Sequence, residues 1–136
     1  MAACDDTVLD VVPPEHPGDT EVLLALGSDE AVAMQLGQLY VMLESVADGP
    51  PRPAVLLARG GHVLEAHPAG STDLELRIVA ERPLRVVCTA PVETWRDVVS
   101  FLKTMRATPA ARHDYFEGEH KGVFHILVVS CFETSS

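Results

Sequence analysis

The chain has 136 residues, of which 47% are hydrophobic and 22% charged, so residues 1–136 are expected to form one domain whose core needs no metal or disulfide. Its formal net charge of −10 disfavours nucleic acid and anionic membranes as partners, because both are bound through Lys and Arg. No apolar run approaches the roughly 20 residues that span a bilayer. The N-terminus lacks a secretory signal pattern, and the three cysteines are too far apart for a disulfide framework or a cysteine-rich zinc site. We therefore predict a cytoplasmic protein with reduced thiols and with disorder at residues 1–6 and 133–136.

Two strands and a helix are predicted first. Residues 7–12 form an apolar run that ends before Pro13, which is typical of an edge strand, and residues 21–26 form a second strand. A helix is expected over about 28–48, where Ser28 caps the first amides. Its buried stripe is predicted from residues that recur at three- and four-residue steps: Val32, Leu36, Leu39, Tyr40, Leu43, Val46 and Ala47.

The middle of the chain has the two-residue period of strands. Residues 54–59 and 62–67 flank Gly60 and Gly61, which predicts a tight hairpin. Residues 73–79 alternate apolar and polar, as a strand with one wet face does. Another strand over 84–89 completes a predicted antiparallel meander of four strands.

The last third begins with a second helix and ends with a strand. Pro91 is expected to open a helix over about 91–107, with an apolar stripe of Val92, Trp95, Val98, Val99, Leu102 and Met105. Residues 110–122 read as a polar loop. Residues 123–132 are apolar at both odd and even positions, which point to opposite faces of a strand. This predicts a strand in the middle of the sheet, buried on both faces.

These elements predict an α+β fold with the order β-β-α-β-β-β-β-α-β. We expect a mainly antiparallel sheet of about five to seven strands, with both helices packed on one of its faces. Residues 18–22 and 70–74 have similar sequences and both precede a strand. This match is too short to establish a duplication, and it leaves a pseudo-symmetric fold open.

The charge is distributed unevenly along the chain. Residues 1–51 hold ten acidic residues and no Lys or Arg, whereas residues 52–136 hold ten of each sign. We predict a non-enzymatic protein-binding module, such as an inhibitor, an immunity-type protein or an adaptor, which binds a basic partner protein. The predicted partner-binding residues are the carboxylates of the first helix: Asp29, Glu30, Glu44 and Asp48. The alternatives are that this charge serves solubility, or that Arg96, Lys103 and Arg106 of the second helix compensate it within the fold.

A cluster of His and acidic residues carries the second functional hypothesis. His113, Asp114, His120 and His125 have side chains that bind zinc, iron or manganese, and they would serve a small enzyme or a metal- or ligand-binding protein. Their spacing matches no known metal motif, so we predict no catalytic residues and no cofactor.

A third hypothesis is a homo-oligomer that buries an apolar helix face between subunits. On the hairpin, Glu65 and His67 share a face and are expected to pair.

Overall fold

Eight strands and two helices form the fold in the part of the chain that the structure, a computed structural model, describes: residues 6–13, 15–48, 52–69 and 73–133. The elements are β1 (Thr7–Val12), β2 (Thr20–Leu26), α1 (Asp29–Asp48), β3 (Ala54–Leu57), a 3-10 turn (Arg59–Gly61), β4 (Val63–Ala69), β5 (Glu75–Glu81), β6 (Leu84–Pro91), α2 (Val92–Ala107), β7 (Arg112–His120) and β8 (Val123–Cys131). Within these ranges, neither helix is long and apolar enough to cross a membrane. The disorder predicted for 1–6 and 133–136 falls outside the described residues, except for Asp6 and Glu133.

The strands form two sheets instead of one. The first sheet has the order β1-β2-β8-β7 and the second has the order β3-β4-β6-β5. In each sheet the outer pairs are antiparallel and the central pair, β2 with β8 or β4 with β6, is parallel. The predicted α+β class is confirmed. The predicted single sheet of about five to seven strands is wrong, because the described chain forms two four-stranded sheets. The predicted, mainly antiparallel pairing is correct in part, since the outer pairs are antiparallel and the two central pairs are parallel.

The two halves of the chain have the same element order, β-β-α-β-β. Each sheet is built from two strands of the first half and two strands of the second half. The first sheet joins β1 and β2 to β7 and β8, and the second joins β3 and β4 to β5 and β6. The topology is therefore pseudo-symmetric, with β2 equivalent to β6 and β4 equivalent to β8. The short sequence match does not follow this equivalence, because residues 18–22 lead into β2 whereas 70–74 precede β5.

The predicted four-strand meander is wrong in its strand order. The turn at Gly60 and Gly61, both with positive φ, joins β3 to β4 as predicted. However, β4 pairs with β6 in parallel, which leaves β5 at the edge. Two exposed side chains of β5, Arg77 and Val79, suit an edge position. Alternation predicted that Leu76 is buried and Arg77 exposed, but Ile78, which it places on the same side as Leu76, is 40% exposed. It could not predict which strand lies beside β5.

Strand β7 was predicted as a polar loop. Only Phe116 and Gly118 of this strand are buried, while most of its other side chains are exposed. An edge strand with so few inward apolar residues has no hydrophobic alternation to detect. Strand β8 lies between β2 and β7, so its predicted place inside a sheet is correct.

Helix α1 begins as predicted and buries part of the expected stripe. The side chains of Val46 and Ala47, which also belong to the predicted stripe, lie outside the described residues. The Ser28 hydroxyl accepts a hydrogen bond from the Ala31 amide at 3.2 Å, which confirms the cap. The residues of α1 that are buried include Val32, Leu36 and Leu39, as expected, together with Gln35 and Met42. Tyr40 is instead 37% exposed. The prediction missed Gln35, a buried polar residue whose amide nitrogen donates hydrogen bonds.

One continuous core lies between the inner faces of the two sheets and the two helices. The helices pack on each other and contact both sheets, so the prediction that both helices cover one face of a single sheet is wrong.

The two sheets also contact each other along two lines, which we call seams. In the first seam, Gln35 of α1 lies between β1 and β3 and donates hydrogen bonds to the Thr7 hydroxyl at 3.4 Å and the Leu57 carbonyl at 2.9 Å.

The second seam joins β7 and β8 to the start of β5. Gly118 lies directly against the backbone of Leu74. The Leu76 amide donates a hydrogen bond to His125 Nδ1 at 3.1 Å. The buried His125 therefore has a structural partner in the second sheet.

Helix α2 has most of the predicted stripe: Val92 is half-buried, and the other five residues are buried, namely Trp95, Val98, Val99, Leu102 and Met105. The Trp95 indole N–H also donates to the His67 carbonyl at 3.1 Å, which ties α2 to β4.

We expect Trp95→Phe to lower the free energy of unfolding by about 2 kcal/mol, since it removes this hydrogen bond and leaves a small void. Urea denaturation followed by circular dichroism measures this loss. An unchanged midpoint would show that the indole does not hold α2 on the second sheet.

Candidate functional site

The four carboxylates that the sequence assigned to a partner occupy different environments on α1. Glu30 and Glu44 are exposed. Asp29 Oδ1 lies 4.0 Å from Arg106 Nε at the end of α2, and both side chains are more than half exposed. The side chain of Asp48 lies outside the described part of the chain. The Asp29–Arg106 approach is the internal compensation that the sequence offered as an alternative, and it is weak because solvent screens it.

The four residues of the metal hypothesis are divided between two places. His113 and Asp114 lie at the start of β7, while His120 lies at its end, about 20 Å away at the usual strand rise. His120 lies near His125, with ring centroids 6.4 Å apart, and its Nε2 is 3.8 Å from Glu75 Oε2. Among the described residues, no group of three or more His, Cys, Asp or Glu side chains is placed to hold a metal ion.

A hydrogen-bonded chain of polar side chains surrounds His113. The Nδ1–H of His113 donates to Glu133 Oε1 at 2.8 Å, and the Ser130 hydroxyl donates to the same oxygen at 3.0 Å. The Tyr115 hydroxyl lies 3.2 Å from His113 Nε2 and can donate to it. Ser130 therefore bonds to the carboxylate and not to the imidazole. A serine nucleophile needs a base that takes its proton, so this arrangement is not a catalytic Ser-His-acid relay.

The two described cysteines are also poor nucleophiles. Burial raises the pKa of Cys131 to about 12, with a further contribution from the charge of Glu133, and burial raises the pKa of Cys88 even more. Both thiols therefore stay protonated at neutral pH. Cys88 lies in the second sheet and His125 in the first, and His125 Nδ1 already accepts a hydrogen bond from the Leu76 amide.

This burial predicts that the folded protein reacts slowly with thiol reagents. In a Cys4→Ser variant, Cys88 and Cys131 are the remaining thiols. We expect the folded variant to give less than about a tenth of the absorbance change with a thiol reagent that the denatured variant gives. An Ellman titration with and without denaturant measures the ratio. Rapid reaction of two thiols in the folded variant would contradict the buried placement.

A cavity lies on the outer face of the first sheet, the face that points away from the core. It has a volume of about 670 Å³. Its floor is built from two rows of side chains that run across the four strands. The register places Val8, Ala25, Ser130 and His113 in one row, and Leu23, Val128 and Tyr115 in the next. The centre of the floor is apolar.

A second cavity of about 440 Å³ continues along the same face. Its floor is the next row, in which Glu21 and Glu117 flank Ile126 on the neighbouring strands. Tyr115 lines both cavities. The two cavities therefore lie side by side on the outer face of the first sheet, and together we call them the groove.

Acidic side chains surround this groove. Among the described residues, six carboxylates line the two cavities, and Arg59 is the only Lys or Arg side chain that does so. The acidic lining residues are Asp6, Glu15, Asp19, Glu21, Glu117 and Glu133. Four of them belong to residues 1–51, which contain no Lys or Arg. The fold thus gathers acids from distant positions in the sequence around one apolar floor.

The outer face of the second sheet differs, although the topology makes the two sheets equivalent. There the Glu65 carboxylate accepts hydrogen bonds from His67 Nε2 at 3.2 Å and from Arg85 Nη1 at 2.5 Å. The hydrogen bond from His67, followed by the hydrogen bond and charge of Arg85, holds the pKa of Glu65 below its ordinary value. The predicted Glu65–His67 pair is confirmed, and this acidic residue is compensated within its own sheet face.

Sequence reasoning found the acidic half of the chain but placed its surface on α1. Two signals pointed to the groove. Strand β8 is apolar at both parities, and Val128 on its outer side is only 7% exposed. Asp10 and Glu21 also alternate with buried residues on β1 and β2. These signals could be joined only once β1, β2, β7 and β8 were known to be neighbours.

Comparison with known proteins gives no family for the chain. No protein-family model, curated protein sequence or solved structure matches it.

Proposed function

We propose that this protein is a non-enzymatic protein-binding module whose acidic N-terminal half engages a basic surface of a partner protein, as an inhibitor, an immunity-type protein or an adaptor does. The observation that carries the proposal is the groove on the first sheet, where carboxylates surround an apolar floor. Protein interfaces commonly combine an apolar centre with a polar rim. The excess of carboxylates attracts a basic partner and repels an acidic one.

Helix α1 offers a second acidic surface within the same half of the chain. Glu30 and Glu44 lie on its exposed side together with Val41, which is 63% exposed. We keep Asp29, Glu30, Glu44 and Asp48 as candidate partner contacts. The groove is the stronger candidate because it is concave, has a continuous apolar floor and carries more charge.

The catalytic alternative has less support. The His113 network lines one end of the groove, but its Ser130 hydroxyl bonds to a carboxylate and not to a base. His120 lies at the opposite end of β7, and His125 lies near it on β8. A role for Tyr115 and His113 in contacting a partner fits their exposed position, since aromatic side chains contribute strongly to protein interfaces.

The proposal is tested with a partner isolated on the full-length protein. Proteins retained at low salt and released by salt are identified by mass spectrometry, and the association rate is then measured with the purified partner. Between about 50 mM and about 500 mM salt, we expect the association rate to fall at least tenfold while the dissociation rate changes little. An association rate that does not depend on salt would overturn the proposal.

A further inference from the structure

We infer that the outer face of the first sheet binds an amphipathic α-helix that carries Lys and Arg beside its apolar stripe. This inference rests on the proposed function and adds the place of binding and the kind of segment bound. It is carried by three features of the groove: the type of surface, its dimensions and its charge.

The type of surface favours a helix over a strand. The floor lies mainly on β2 and β8, which are interior strands whose backbone groups are paired with neighbours on both sides. This face therefore offers side chains and no free backbone hydrogen-bonding groups. A bound segment has to satisfy its own backbone donors and acceptors, and an α-helix does so within itself. A strand would need the edge of the sheet.

The dimensions fit a helix of about four turns. Along β8, the outward side chains run from Phe124 through Ile126 and Val128 to Ser130, a length of about 20 Å at the usual strand rise. A helix rises about 1.5 Å per residue, so about 13–15 residues cover this length. Across the strands, the face is about 14 Å wide, which is enough for the apolar side of one helix.

The charge specifies which helix fits. Glu21 and Glu117 stand on either side of Ile126 in one row, with Glu15 and Asp19 close by in the same cavity. A helix whose leucine stripe covers Leu23, Ile126 and Val128 would place its flanking residues against these carboxylates. Lys or Arg at the flanks would be attracted, whereas Glu or Asp would be repelled.

The second sheet provides an internal comparison. Its outer face has the same topology, but Glu65 is already bonded to His67 and Arg85. The acidic excess of the first sheet is therefore not a necessary consequence of the fold. It is a property of the residues on this one face.

The test uses a synthetic 15-residue peptide with Leu at helical spacing (i, i+3, i+4, i+7) and Lys elsewhere. A second peptide has the same composition but alternates Leu and Lys over its length, as a strand does, and a third replaces Lys with Glu. Binding to the full-length protein is measured by calorimetry. We expect the helical peptide to bind at least about tenfold more tightly than the alternating one, and the Glu peptide to show no binding. Equal or tighter binding of the alternating peptide would overturn the inference, as would binding of the Glu peptide.

Three variants with the same net charge locate the site: Glu21→Lys/Glu117→Lys in the groove, Glu30→Lys/Glu44→Lys on α1, and Glu81→Lys/Glu93→Lys elsewhere on the surface. All six residues are exposed or half-buried. We expect the groove variant to bind the helical peptide at least about tenfold more weakly and the other two to change less than about threefold.

The outcomes separate this inference from the proposed function. Loss of binding in the α1 variant alone would overturn the groove as the site but leave the acidic half as the binding surface. Equal losses of binding in all three variants would show that only net charge matters, and would overturn both this inference and the proposed function.

An Ile126→Thr variant tests the apolar floor. It is expected to weaken binding about fivefold, and unchanged binding would contradict the role of the apolar floor.

Discussion

Gly118→Ala is expected to lower the free energy of unfolding by about 3 kcal/mol or more, or to prevent folding. A Cβ atom at this position of β7 would lie 2.5 Å from the backbone nitrogen of Leu74 and 2.9 Å from its Cα, and still closer to its carbonyl oxygen. The obstacle is backbone, which no rotamer change removes. The two sheets would have to separate along the seam between β7 and β5.

Gly37→Ala is the matched control for this change. Gly37 lies on the exposed side of α1, and a Cβ atom there would meet nothing within 4 Å. Ala is favoured over Gly inside a helix, so this variant is expected to raise the free energy of unfolding by about 0.5–1 kcal/mol. Urea denaturation of both variants gives the comparison. If Gly118→Ala were as stable as the unmodified protein, the close approach of β7 to Leu74 would be wrong.

Gln35→Glu is expected to have the second large effect, at the other seam. Gln35 is fully buried, and its amide nitrogen donates to the Leu57 carbonyl. Its Oε1 has no hydrogen-bond partner among the described residues. A carboxylate of the same shape would bring a charge into the core and set it against a carbonyl oxygen. We expect a loss of about 3–5 kcal/mol at neutral pH.

The loss caused by Gln35→Glu should depend on pH in a definite direction. Burial disfavours the charged carboxylate, so the pKa of the introduced Glu rises in the folded state above its unfolded value. A raised pKa gives relative stability that is present at low pH and is lost as the pH rises. At about pH 4 the protonated carboxyl can donate to the Leu57 carbonyl, so the difference from the unmodified protein should shrink there.

A neutral control separates charge from lost hydrogen bonding at this position. Gln35→Met has a similar length and cannot donate to Leu57, so its expected loss is about 1–2 kcal/mol at every pH. The measurement is the urea midpoint of each variant relative to the unmodified protein at pH 4 and pH 7.5. A loss for Gln35→Glu that is the same at both pH values would show that the site is open to water.

Local signals in the sequence predicted most of the individual elements. The Ser28 cap, the Gly60–Gly61 turn and the stripe of α2 each depend on residues close together in the chain, and each is present in the structure. Strand β7 was missed because it is an edge strand with little apolar character. Its conformation depends on pairing with β8, which a periodicity argument does not detect.

Long-range features could not be predicted in the same way. The division into two sheets depends on the parallel pairing of β2 with β8 and of β4 with β6, between residues far apart in the chain. Gln35 and Gly118 look unremarkable in sequence, because their roles come from Leu57 and Leu74 in the second sheet. The pseudo-symmetry of the halves is visible only in this pairing.

The candidate site shows the same limit. The uneven charge predicted an acidic binding surface, and the apolar outer positions of β8 indicated a covered strand. Neither signal showed that Glu21 and Glu117, nearly a hundred residues apart, lie on either side of Ile126. The acidic half of the chain was therefore assigned to α1, which is the clearest local element but not the most acidic surface.

Methyl NMR of the full-length protein, titrated with the helical Leu/Lys peptide, tests the central claim most directly. If the groove is the binding surface, the largest shifts will be those of Val8, Leu23, Ile126 and Val128 on the outer face of the first sheet. Shifts concentrated at Val41 of α1, or at Val55 and Leu57 of the second sheet, with the first sheet unchanged, would contradict it.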